Sequence, residues 1–328
     1  MSRKEKKLIE VKDLKKYFEI KDGPFSKKTL KAVDGISFSI AEGETLGLVG
    51  ESGSGKTTAG RTILHLYTPT SGEILYRKRP IESKGDIKEF RKRASYVFQD
   101  PYSSLNPRMT VADIIGEPLD VQKLYKSNAE RRERILELME NVGLNSEHAT
   151  RYAHEFSGGQ RQRICIARAL AQSPEFIVCD EPVSALDVSI QAQIINMFDS
   201  LREKLSLTYL FIAHDLLVVR HVSNRIAVMY LGEIVEIGDS DAIYSYPLHP
   251  YTKALISAIP IPDPKVAKEG KRIALKGEIP SPIDKPSGCP FRTRCPEAKE
   301  ICAEEKPHLR EFYRGHFVAC HRVEELSI

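Results

Sequence analysis

Residues 50–57 read Gly-Glu-Ser-Gly-Ser-Gly-Lys-Thr, and this run constrains the fold more tightly than any other stretch of the chain. It matches the G-x-x-x-x-G-K-[ST] pattern at every fixed position. An apolar run, residues 46–49, precedes it, and a helix is predicted from Lys56 to about residue 66, ending before Pro69. Gly50, Gly53 and Gly55 allow the backbone to curl until successive N–H groups face a phosphate chain. The N-terminus of the following helix adds a dipole that favours negative charge. Lys56 has the reach for β- and γ-phosphates, and the Thr57 hydroxyl suits Mg²⁺. Ser52, Ser54 and Thr58 complete the predicted contacts to ATP. On residue type alone, such a run could also be a glycine-rich turn, but the flanking strand and helix argue against that.

The apolar run 176–179 ends in Asp180-Glu181. Acids at the C-terminal end of a strand lie where doubly wound sheets bind ligands. Asp180 is therefore the candidate for holding Mg²⁺, through water, and Glu181 for orienting or deprotonating an attacking water. Short apolar runs at 9–11, 35–40 and 45–49, with a turn at Glu42-Gly43-Glu44, predict N-terminal strands. Residues 21–31, with Gly23, Pro24 and several lysines, read as a loop. Residues 105–170 read as mostly helical. Ile135, Leu138, Met139 and Val142 share one helical face. From residue 176, strands at 176–179, 209–212 and 226–229 alternate with helices at 190–205 and 216–222, which predicts an α/β fold with a mostly parallel, covered sheet.

Composition narrows the class. At 328 residues, with 41% hydrophobic and 29% charged residues, the chain suits one large globular domain plus an appendage. A net charge of +4 is too small for a typical nucleic-acid binder, and none is predicted as a partner. The basic runs Arg3, Lys4, Lys6, Lys7 and Lys88, Arg91, Lys92, Arg93 read as solvated surface. No run approaches the ~20 apolar residues of a membrane helix, and no leader is evident, so a cytosolic protein is expected.

Ser157-Gly158-Gly159-Gln160-Arg161, ahead of Asp180-Glu181, resembles the signature motif of ABC transporter nucleotide-binding subunits. The resemblance covers residues 8–240 and extends motif by motif. Gln99 resembles the Q-loop glutamine that links the metal site to the transmembrane partner, and is counted with Thr57 and Asp180 at Mg²⁺. Ser184-Ala185-Leu186-Asp187 resembles the D-loop, and His214 the switch histidine that contacts the γ-phosphate. Phe18 matches the aromatic that stacks on adenine, with Tyr17 as the alternative. The resemblance implies a P-loop ATPase domain over residues 1–240, with an N-terminal antiparallel β subdomain and a helical subdomain at about 100–158. It implies hydrolysis in a head-to-tail dimer, each signature completing the other chain's site.

The prolines crowd beyond residue 240, periodicity fades, and a separate, irregular extension is expected at 241–328. His249 to Leu255 and Gly277 to Pro282 resemble the tail of the oligopeptide/dipeptide importers. That branch implies a related second ATPase subunit, two transmembrane permease subunits, an extracytoplasmic peptide-binding protein, and a place on the cytoplasmic face of the membrane. Homodimer or heterodimer stays open. Nickel or glutathione as cargo, and a soluble ABC-type ATPase acting on nucleic acid or the ribosome, are the alternatives. Cys289, Cys295, Cys302 and Cys320 are spaced C-x5-C-x6-C-x17-C, without the paired C-x-x-C of a zinc ribbon. A metal centre fits the spacing better than chance, with zinc, unligated thiols or a disulfide as alternatives. The resemblance implies a [4Fe–4S] cluster on these four. Cys165 and Cys179 read as small core residues.

Overall fold

A computed structural model describes residues 6–23, 26–259 and 273–323. Arg3 and Lys4 of the basic run, Pro24, and Pro260, Pro262 and Pro264 of the proline-rich stretch lie outside the described residues. The chain divides into two compact units. Ile40–Glu44 and Tyr76–Ile212, with the residues up to Leu8, form one; Ile9–Ser39, Thr45–Leu75 and the chain from Ala213 onward form the other.

In the first unit, three strands pair in parallel: β6 (Ala94–Val97) with β7 (Phe176–Asp180), and β7 with β8 (Thr208–Ala213). Every residue of β7 and β8 is buried. Strands covered on both faces carry continuous apolar runs instead of alternating ones, which is why Phe-Ile-Val-Cys and Tyr-Leu-Phe-Ile were readable as strands. The helices of this unit begin at polar caps. Ser83 and Asp86 close a capping box on α2 (Lys84–Arg93), whose exposed last turn holds Arg91, Lys92 and Arg93. Thr110 caps α4 (Val111–Gln122) and Ser127 caps α5 (Asn128–Asn141). The predicted face of α5 is buried at Ile135, Leu138 and Met139, and Val142 just beyond it is buried too. Helix α6 (Gly158–Leu170) follows, then the longer α7 (Val188–Leu205).

The second unit begins with two long strands, β1 (Lys7–Lys21) and β2 (Lys27–Ala41), in an antiparallel N-terminal sheet with β4 (Ser71–Tyr76). The loop expected over 21–31 is therefore shorter. Lys27 and Lys28 belong to β2, paired with Glu19 at 2.5 Å and Asp22 at 2.9 Å, so their charge marks a solvated hairpin and not a connection. The fully buried β3 (Thr45–Val49) runs parallel to β9 (Arg225–Tyr230). Next to β9 lies β10 (Glu233–Asp239), antiparallel. The helix after β3, α1 (Lys56–Ile63), ends at a Leu64 cap, one turn sooner than expected. Among the described residues, no helix is long and apolar enough to cross a membrane.

The C-terminal region is less irregular than its sequence. A hairpin of β11 (Arg310–Tyr313) and β12 (His316–Val318) extends the unit's sheet, with β12 antiparallel to β10. Beneath it sits Glu236, fully buried. Its carboxylate accepts hydrogen bonds from the Leu248 and His249 N–H groups, at 2.7 and 3.0 Å, and lies 2.7 Å from His316 Nε2. A buried carboxylate is tolerated only when its lone pairs are met in this way.

His249 caps a further helix, α10 (Pro250–Ser257): its Nδ1 accepts the Tyr251 N–H at 3.0 Å. The ring therefore carries its proton on Nε2. Burial pushes the His249 pKa down from the ordinary 6.5 to about 4, against the pull of Glu236 and with a smaller push from Lys253. The unfolded chain takes up this proton first, so the stability from a neutral His249 is complete above pH 6.5 and falls as pH drops towards 4. The full effect is about 3 kcal/mol. Asparagine keeps a capping oxygen without titrating. His249→Asn should therefore flatten the pH dependence of urea unfolding between pH 7 and 5, and an unaltered slope would refute this assignment.

Candidate nucleotide site

The phosphate loop lies in the second unit, between β3 and α1. Its glycines meet separate demands. Gly50 and Gly55 have φ of 157° and 102°. A Cβ on Gly50 would stand 2.2 Å from the Met229 carbonyl oxygen, and one on Gly55 2.1 Å from that of Ala32. Gly53, at φ 79°, faces open space, so only its backbone conformation calls for glycine. The Gly232 N–H donates to Ser54 O at 2.8 Å, tying the loop to the β9–β10 turn. The Lys56 side chain is buried and its Nζ donates to Gly50 O at 2.7 Å and Glu51 O at 3.0 Å. No side chain caps α1 at Gly55, so the donors of its first turn are not claimed by a cap.

Elsewhere in this unit Tyr17 and Phe18, adjacent on β1, have different surroundings. The Tyr17 hydroxyl donates to Asp34, and burial together with that bond raises its pKa. Phe18 is half-exposed, edge-on to Tyr67 at 5.5 Å, with Lys16 Nζ 4.8 Å over its ring. Tyr17 is half-exposed too, with Lys31 Nζ 5.8 Å over its ring. His214 is exposed immediately after β8.

The acids lie in the first unit, at the end of β7. Asp180 is fully buried, and its Oδ2 accepts the Tyr96 hydroxyl at 2.6 Å. Tyr96 was not picked out from the sequence; its place on β6, paired with Val178 of β7, is what aims it there. Glu181 adopts φ 44°, a left-handed conformation rare outside glycine. Its N–H donates to Ile212 O at 2.9 Å, and its carbonyl accepts from the Ser184 N–H and hydroxyl. Its carboxylate accepts Gln99 Nε2 at 2.8 Å. Strain of this kind is kept where surrounding bonds over-determine it. The fold thus brings Gln99 and Glu181 within hydrogen-bonding distance.

Also in the first unit, Ser157 and Gln160 form a reciprocal capping box at the start of α6: Gln160 N–H to Ser157 Oγ at 3.4 Å, Ser157 N–H to Gln160 Oε1 at 3.0 Å. Gly159 has no room for a side chain, since a Cβ would meet Ile190 Cγ2 at 2.5 Å. Ser157, Gly158 and Gln160 are exposed, as are Asp187 and its neighbour Val188. The backbone before Asp187 is held by Gln191, whose Nε2 donates to Leu186 O and Val183 O.

The four C-terminal cysteines are free of disulfides. Cys289, Cys302 and Cys320 are buried and Cys295 is half-buried. The Cys289 N–H donates to Cys302 O at 2.8 Å, and the thiols lie close enough to influence one another's charge. Burial pushes the Cys289 thiol up to about 11. Among the described residues, no three Cys, His, Asp or Glu side chains stand in an arrangement that would hold a metal ion. Cys165 and Cys179 are buried core residues, their thiol pKa values raised by burial.

A phosphate loop, a strand ending in Asp-Glu and an exposed Ser-Gly-Gly-Gln helix start define the ATP-hydrolysing cassette of ABC transporters. Residues 33–184 match the ABC transporter family, and residues 235–302 match the oligopeptide/dipeptide transporter C-terminal region. The chain is 54% identical to the oligopeptide transport ATP-binding protein AppF of Bacillus subtilis (strain 168), over 96% of this chain and 97% of that protein. It is 52% identical to OppF of the same organism, over 97% of each. Among solved structures, cbiO1 of Clostridium perfringens, part of the cbiONQ ABC transporter complex, superposes with a TM-score of 0.64 at 25% identity, covering 74% of this chain and 92% of that one. The ABC transporter cassette MJ0796, solved as a dimer, gives 0.63 at 30% identity, over 71% and 99%. The chain belongs to the family of ATP-binding subunits of oligopeptide/dipeptide ABC transporters, and is an ATPase.

The two kinds of glycine predict different losses. Gly53→Ala should cost only backbone strain, weakening ATP binding by less than about ten-fold. Gly55→Ala adds a collision with the Ala32 carbonyl and should weaken it well beyond that. Equal ATP affinities of the two variants in a titration would contradict the geometry.

Proposed function

We propose that this chain powers import of oligopeptides or dipeptides, as one of two related ATPase subunits on the cytoplasmic face of the membrane. Two transmembrane permease subunits form the path, and an extracytoplasmic binding protein delivers the cargo. The observation that carries the cargo reading is that similarity to oligopeptide transport proteins continues through residues 235–302, beyond the cassette that all ABC transporters share.

In this reading Phe18 stacks on adenine. Gly50, Ser52, Gly53, Ser54, Gly55, Lys56, Thr57 and Thr58 contact the phosphates, and Thr57, Gln99 and Asp180 serve Mg²⁺. Glu181 orients or deprotonates the attacking water, and Gln99, bonded to it, links the metal site to the permease. His214 contacts the γ-phosphate. Ser157, Gly158, Gly159, Gln160 and Asp187 act on the nucleotide of the partner subunit, which suits the exposure of all but the half-buried Gly159. Residues 1–240 then form the cassette, with its helical part at about 100–158, and 241–328 the extension. Closure around two ATP molecules makes γ-phosphate contacts that hydrolysis removes, and the dimer reopens. Glu181→Gln should retain ATP binding, abolish turnover and accumulate a closed dimer, visible as a doubled mass on size exclusion with ATP. An active Glu181→Gln enzyme would contradict the role of Glu181.

Cys289, Cys295, Cys302 and Cys320 are proposed to hold a [4Fe–4S] cluster that fastens the extension. Support comes from four thiols free of disulfides, three of them buried, and from the Cys289 N–H bond to Cys302 O, although among the described residues no three such groups stand as metal ligands. Protein purified without oxygen should carry about four irons and four sulfides per chain, and Cys295→Ser should lose them and make the extension protease-sensitive. Stoichiometric zinc, or unchanged protease resistance, would overturn the cluster reading.

A further inference from the structure

The second residue of the phosphate loop is held at three points, two of them by the C-terminal part of the chain. The Glu51 carboxylate accepts a two-pronged bond from the Arg294 guanidinium, Nη1 to Oε2 at 2.7 Å and Nη2 to Oε1 at 3.1 Å. The Glu51 N–H donates to the Tyr251 hydroxyl at 2.9 Å, and its carbonyl accepts Lys56 Nζ at 3.0 Å. The ion pair is largely removed from water, with side-chain exposures of 8% for Arg294 and 26% for Glu51. Such a pair is screened far less than a surface one, and the planar fork fixes its geometry.

The groups that hold Glu51 are themselves rigid. The Arg294 guanidinium lies 5.9 Å from the Tyr230 ring centre, and the Arg294 backbone N–H donates to Phe291 O at 3.0 Å. The Tyr230, Tyr251 and Phe291 rings pack on one another at 4.7–5.3 Å, all fully buried. By contrast, a loop of glycine and serine has little conformational preference of its own, and ordering each residue costs about 1–2 kcal/mol of entropy. A brace that fixes the loop beforehand lowers what nucleotide binding must supply.

We propose that Arg294 is a positioning residue for the nucleotide site: by clamping Glu51 it presets the phosphate loop, so that ATP affinity depends on the C-terminal extension. The clamp acts on the loop's shape and touches none of the reacting atoms, so its loss falls on binding and not on the chemical step. This inference rests on residues 50–57 being the ATP site.

The test uses the full chain. Glu51→Gln and Arg294→Ala should each weaken ATP binding about ten-fold, the size expected for a lost charge-assisted pair. The double variant should be no worse than either single one, and Arg294→Lys should fall between. KM should rise while kcat holds. Hydrogen exchange at residues 52–57 of nucleotide-free Glu51→Gln should quicken, with β10 and β12 unchanged. Should Arg294→Ala misfold, Glu51→Gln carries the test, because it leaves the extension's own side chains intact. Wild-type ATP affinity in Glu51→Gln, additive losses in the double variant, or equal quickening through β10 and β12 would each overturn the clamp. Lys56→Ala separates the two readings: if it binds ATP normally, the site assignment falls and the clamp with it. If Lys56→Ala is weakened and Glu51→Gln is not, the clamp alone falls.

Discussion

A loop shaped to turn its own N–H groups outward cannot also fill itself with side chains. That constraint runs through this structure. The residues that make the cradle, Gly50, Gly53 and Gly55, are those with the least power to hold a shape, so the shape is imposed from outside. Carbonyls of Met229 and Ala32 wall two of the glycines, the Gly232 N–H ties Ser54, and Lys56 stitches the loop's own carbonyls. The elements that supply these walls are β2, β9 and the β9–β10 turn, which makes the second unit's architecture a mould for eight residues.

The acids at the end of β7 meet the opposite problem. Asp180 has no exposure, and Glu181 is bent into a left-handed turn. Tyr96, Gln99, Ser184 and the Ile212 carbonyl hold them by hydrogen bonds. Polar groups fixed in this way need little rearrangement when charge develops nearby, the basis of electrostatic preorganisation.

What could be read from the sequence was what is local. The phosphate loop is eight consecutive residues, β7 is one apolar run, and the buried face of α5 lies within three turns. Strand β10 escaped because Glu233 and Glu236 interrupt its apolar residues and a register shift between Ile234 and Glu236 breaks the alternation. The β1–β2 hairpin was underestimated because its solvent side is lysine-rich, and lysine in a strand looks the same as lysine in a loop. Tyr96 and Arg294 were invisible for a different reason. Arg294 is 243 residues from Glu51 and Tyr96 is 84 from Asp180; no window of sequence contains either pair. Mutual placement of the four cysteines is likewise a property of the folded chain, while their spacing is all the sequence offers.

The pairing of β12 with β10 has a consequence for how this chain can be cut. Strand β10 carries Ile234, Val235 and Ile237, all buried, and β12 pairs along it at Glu236 and Ile237. The sheet then ends on β11, a short strand whose Arg310 and Glu311 are exposed. A charged, brief terminus of this kind discourages other chains from adding to it. Shortening the protein to its cassette would bare an apolar edge of β10 and strip Glu236 of three hydrogen-bonding partners in the same stroke. The C-terminal hairpin therefore belongs to the same sheet as β10, and the two can be separated on paper more readily than in solution.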